Sequence, residues 1–128
     1  VLEANGVSID LPRALSDLRD RGSCRLRSGT IPVDLFVPSI EFYESVRSRV
    51  VARPLMGRGA RFLTAEDLTV FKLLFFRAKA LVDVRYMLAT QGARFDRPYV
   101  RRWLVEMLGD DDERVRRLDE FYREITPS

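Results

Sequence analysis

The sequence has no histidine, one cysteine (Cys24) and, among 22 basic residues, only two lysines. The absence of histidine excludes Ser-His-Asp triads, Cys–His zinc sites and H-E-x-x-H metalloprotease helices. A single thiol cannot close an intrachain disulfide, which fits a reducing, cytoplasmic setting. No apolar run approaches the ~20 residues of a membrane span, so no membrane partner is expected. The first apolar segments are too short and acid-interrupted for a secretory leader. Chemistry is left to carboxylates, arginine, lysine, tyrosine, serine and the one thiol. Any metal would be a hard cation on oxygen ligands.

What is present fits one globular domain, residues 1–128, with 46% hydrophobic and 32% charged residues. The net charge of +3 permits a phosphate-bearing partner without requiring one. Arginine is the default cation, with 20 copies. Both lysines, Lys72 and Lys79, fall in the apolar stretch "TVFKLLFFRAKALVDVRYML", Thr69 to Leu88. A compact ammonium differs from a planar guanidinium fork, so these two positions invite a reason.

The pattern predicts an α+β chain. Asp10 before Leu11-Pro12 caps a first helix with Leu11, Leu15 and Leu18, ending near Gly22. Alternation from Cys24 to Val37 around Ser28-Gly29 reads as a β-hairpin, with Pro32 at an edge or early strand position. Ser39 caps a helix over about 40–49 with Phe42, Tyr43 and Val46 inward. "VVARPLMGRGARFL" reads as two strands about a turn at Gly57-Arg58-Gly59. Thr64-x-x-Asp67 resembles a capping box and opens the helix of Lys72. A break near Arg77-Ala78 leads to a helix over about 79–90. Two more follow, one capped at Asp96, the other opened by Asp110 to Glu113, with Trp103, Phe121 and Tyr122 in core positions. Residues 1–63 are thus the strand-rich part and 64–128 the helical part.

Three charged residues stand out. Lys72 has Leu68, Thr69, Phe75 and Phe76 as its helical neighbours, so it either snorkels to solvent or meets a partner from elsewhere. Asp83 has Lys79 four residues earlier as a local ion-pair partner. On one straight helix Lys72 and Asp83 would lie ~16 Å apart, so they meet only if the chain turns between them. Asp34 lies mid-strand in "IPVDLFVP", where aspartate is depleted, although a solvent-facing strand residue is the ordinary reading. Arg47, Arg49, Arg53, Arg58 and Arg61 cluster around the middle strands, as a solvated face or as a phosphate or RNA surface.

"VDLF" in a strand, "LTAEDLTVFKLL" and "FRAKALVDVRYML", in this order, resemble the later part of nucleotidyltransferase-fold proteins of the AbiEii toxin type. The resemblance covers about residues 6–88. It rests on Asp34, on Glu66-Asp67-Leu68 with Lys72, and on Arg77, Lys79 and Asp83; the Lys72-to-Asp83 spacing is its most specific element. It implies a nucleotidyltransferase-like fold, a small mixed or antiparallel sheet followed by a C-terminal helical bundle. The implied activity is transfer of a nucleotide from a nucleoside triphosphate to RNA or protein. Asp34, Lys72 and Asp83 would be catalytic, with Asp34 on Mg²⁺. Arg77, Lys79, Arg58 and Arg61 would bind substrate, and a cognate antitoxin is an expected partner.

Two departures matter. Lys79-Ala80 stands where the family has Lys-Asp, and the opening Gly-Ser and D-x-D strand is not evident. Gly22-Ser23 precedes Asp34 at a related spacing, but follows a helical segment and leaves Phe36 in place of the second metal carboxylate. Asp34 is therefore read as the third acid, and the first motif is expected upstream of Val1. On this reading the 128-residue chain binds Mg²⁺ weakly and is inactive alone; a non-catalytic binding module or toxin–antitoxin component of the same fold is one alternative, and an unrelated small α+β interaction module is another.

Overall fold

The computed structural model describes residues 4, 6–38, 40–75 and 78–126. The expected cap Ser39, the expected substrate residue Arg77 and the first residue of the expected Arg77-Ala78 hinge lie outside the described residues. The elements run β1 (Val7–Ser8), α1 (Leu11–Arg21), β2 (Ser23–Ser28), β3 (Ile31–Phe36), α2 (Phe42–Arg49), β4 (Val51–Leu55), β5 (Arg58–Phe62), α3 (Ala65–Phe75), α4 (Ala78–Gln91), a short 3₁₀ turn, α5 (Arg97–Leu108) and α6 (Glu113–Ile125). The α+β class holds. The strands form two small antiparallel sheets, β1-β2-β3 and β4-β5. None of the described helices is long and apolar enough to cross a membrane.

The chain divides into two compact units, Val1–Glu44 and Ser45–Ser128. In the first, Asp10 accepts from the Arg13 amide to start α1. Gly22, at φ 72°, ends the helix by donating its amide to the Leu18 carbonyl. The core of this unit joins Ala14 and Leu18 of α1 to Cys24, Leu26, Val33 and Leu35 of the sheet. Leu11 and Leu15 are exposed, which corrects the expected Leu11-Leu15-Leu18 face. The i,i+4 pair Ala14 and Leu18 meets the sheet, and Leu11 and Leu15 lie off that line.

In the second unit, Val70, Leu73, Val84, Leu88, Val100, Leu104, Val115 and Leu118 are buried, one stripe from each of α3 to α6. The hairpin ahead of them turns at Met56-Gly57, not at Gly57-Arg58-Gly59: Arg58 pairs with Leu55 and Gly59 with Pro54. Met56 and Gly57 both have positive φ, the backbone a two-residue hairpin loop requires. The sequence suggested a glycine-centred turn; the ladder takes Arg58 and Gly59 into β5.

Candidate functional site

Lys72 and Asp83 meet. The Lys72 Nζ donates to Asp83 Oδ2 at 2.7 Å, with side-chain exposures of 29% and 36%. A straight helix would hold them apart; two separate helices, α3 and α4, bring them together. At the end of α3, Arg114 donates to the Leu74 carbonyl at 3.1 Å. That arginine is itself held by both Asp112 carboxylate oxygens, at 2.8 and 3.0 Å. The C-terminal carbonyl region of α3 is thus tied to the start of α6.

The Asp83 carboxyl lies below its ordinary range. The hydrogen bond from Lys72 is the main cause; partial desolvation opposes it, and the positive charges of Lys72 and Lys79 assist. Lys79 is exposed and acts on Asp83 through space, and the ion pair goes to Lys72. The local i,i+4 alternative is therefore not the pair that forms.

Asp34 lies in the first unit with a partner of its own. It stands directly opposite Arg25 across the β2–β3 ladder. Arg25 grips both its oxygens, Nε at 2.7 Å and Nη2 at 2.9 Å. Such a bidentate fork satisfies the carboxylate through a cross-strand neighbour. Arg58 and Arg61 lie on β5, exposed, and among the described residues neither makes a side-chain hydrogen bond or ion pair.

Mg²⁺ needs a small constellation of oxygen ligands. Among the described residues no group of three acidic or thiol side chains is placed to hold a metal ion. Asp34, the one assigned metal ligand, offers its oxygens to a guanidinium. Asp83 serves an ammonium. The described donor set does not fit the ion.

The sequence did not disclose a second charged cluster, at the other end of α3. Thr64 Oγ1 accepts from the Asp67 amide at 3.1 Å, half of the expected capping box. The Asp67 side chain has no exposed surface and turns inward. Tyr99 Oη donates to Asp67 Oδ1 at 2.6 Å and shares a 2.8 Å hydrogen bond with Ser45 Oγ. Arg49 Nε stands 3.4 Å from Asp67 Oδ2, too poorly aligned for a hydrogen bond, and its guanidinium lies 3.9 Å over the Tyr99 ring. Burial pushes the Tyr99 hydroxyl up, and its bond to the Asp67 carboxylate adds to this. Next to it, Glu66 Oε1 accepts the Asp96 amide at 3.0 Å. The available signal was Asp67 itself, an acid one residue before an apolar run, which needs a cation if buried.

Comparison with protein-family models, with curated proteins and with solved structures returns no match to this chain.

Proposed function

We propose that this chain is a nucleotidyltransferase-like protein whose Lys72–Asp83 corner receives the phosphates of a nucleoside triphosphate. It transfers no nucleotide by itself. The observation that supports this is the 2.7 Å contact between two side chains eleven residues apart, on separate helices. An ammonium held by one half-exposed carboxylate is preset in position yet open to a stronger anion. A triphosphate displaces solvent there, Lys72 meets it as a point charge, and Lys79 adds to the positive field. Asp83 keeps the ammonium oriented while the site is empty. RNA or a protein hydroxyl as acceptor, and an antitoxin protein as partner, belong to the same proposal.

The non-catalytic form of this reading is favoured by Asp34, whose two oxygens lie in the Arg25 fork. Incubation with labelled nucleoside triphosphates, Mg²⁺ and RNA is expected to leave RNA and protein unlabelled; robust transfer overturns the inactivity. Binding of a fluorescent triphosphate, followed by anisotropy, is expected to weaken about tenfold in Lys72→Ala, the effect of roughly 1.4 kcal/mol. Unchanged binding in that variant removes the phosphate role.

A further inference from the structure

The β4–β5 ribbon breaks two rules of its own local structure. Its tip residue, Met56, is 97% exposed and has φ +49°. Positive φ in a two-residue hairpin loop favours asparagine, aspartate or glycine, and full exposure disfavours a long apolar side chain. Leu55 beside Met56 is also half open to solvent.

The sides of the ribbon are cationic. Between Val51 and Leu63 lie Arg53, Arg58 and Arg61 and no acidic residue. Among the described residues these three form no ion pair; Arg53 donates only to the adjacent Ala52 carbonyl, at 3.0 Å. Elsewhere in the second unit Arg49, Arg85, Arg101, Arg114 and Arg117 pair with a carboxylate and the other described arginines do not, so the ribbon is set apart by its lack of any acidic residue. The register splits the ribbon's arginines, Arg53 and Arg58 on one face and Arg61 on the other. Among the described residues neither strand pairs with a third.

We propose that this ribbon is an arm that enters a groove of duplex DNA, arginines against the two phosphate walls and Met56 towards the base pairs. The dimensions agree. Five residues per strand at roughly 3.4 Å each give an arm of about 17 Å. A two-stranded ribbon fits the B-form major groove, about 12 Å wide, and apolar wedges on arms enter minor grooves. A-form RNA has a major groove too narrow for it. Cations on both faces suit an occupant with charge on both sides, which a flat acidic protein surface lacks.

The test is anisotropy of a labelled DNA duplex of about 20 base pairs, roughly two helical turns, titrated with the whole chain at rising salt. Three phosphate contacts give a log–log salt slope of about −2.7, or about 40-fold weaker binding between about 50 and about 200 mM salt. Replacing Arg53, Arg58 and Arg61 together by alanine is expected to remove that slope and weaken binding at least about tenfold. Replacing them by lysine is expected to keep most of it, since phosphate contacts need charge. The exposed Arg13, Arg19 and Arg21 of α1, replaced by alanine, make the same charge change and are expected to have little effect. Met56→Gly suits the turn backbone and is expected to weaken duplex binding without lowering stability. Lys72→Ala is expected to leave duplex binding unchanged, which separates the arm from the phosphate corner. Equal loss in both arginine triples, or tighter binding of duplex or single-stranded RNA than of duplex DNA, overturns the proposal.

Discussion

The two ends of α3 handle charge in opposite ways. Near its start, Asp67 has no exposed surface and is enclosed by Tyr99 and Arg49. Five residues later, Lys72 has one partner among the described residues, Asp83, and both keep about a third of their surface in solvent. A buried carboxylate without its partners costs several kcal/mol, so the Asp67 cluster is held by the fold and holds it. A half-exposed pair contributes little to folding, so stability alone does not explain why Lys72 and Asp83 face each other. Rigid charge at one end and available charge at the other is the arrangement a binding corner needs: a fixed helix carrying a side chain that can change partners.

Removing the Asp67 side chain is the largest expected blow to that contrast. Asp67→Ala removes the acceptor of the Tyr99 hydroxyl and the counter-charge of the Arg49 guanidinium, at an expected cost of about 3 kcal/mol in urea denaturation. Arg49 retains some solvent contact, which keeps the cost at the low end of the range for broken buried pairs. Tyr99→Phe removes one hydroxyl from the same cluster and is expected to cost about 1–2 kcal/mol. If either variant were as stable as the parent, the start of α3 would be no more structural than its middle.

At the other end the expectation reverses. Lys72→Ala and Asp83→Asn are expected to leave the denaturation midpoint close to that of the parent chain while Lys72→Ala weakens triphosphate binding. Loss of stability in step with loss of binding would show Lys72 to be a structural residue, and the contrast would collapse.

The difference between the ends also explains what was legible in the sequence. The periodic elements were, because caps such as Asp10, Asp96 and Asp112 and the apolar spacing of α3 to α6 are local signals. The convergence of Lys72 and Asp83 followed from one question, whether the chain turns between them, and two helices answer it. The Asp34 partner was readable only with the strand register, which sets Arg25 opposite. The Asp67 cluster was not readable: Ser45, Arg49, Asp67 and Tyr99 come from α2, α3 and α5, and no local pattern joins them. The tip at Met56 was missed because two glycines nearby offered an easier turn than a methionine with positive φ.

Acid titration sharpens the contrast with the smallest effect. The Asp83 carboxyl is held below its ordinary value of 3.8 by its bond to Lys72. A lowered carboxyl contributes stability that is fully present above the unfolded value and fades as pH falls through the folded one. Asp112, held by the Arg114 side chain and amide, is lowered to about 2. On acidification both contacts are therefore expected to persist through the ordinary carboxyl range and to open only below it. Carboxyl carbon NMR shifts, followed from neutral pH downwards, would report both. Arg114→Ala is expected to return the Asp112 midpoint towards 3.8 and leave that of Asp83 in place. If Asp83 moved with it, the corner and the α6 anchor would be one coupled network, and Lys72 would not be independently free to exchange its carboxylate for a phosphate.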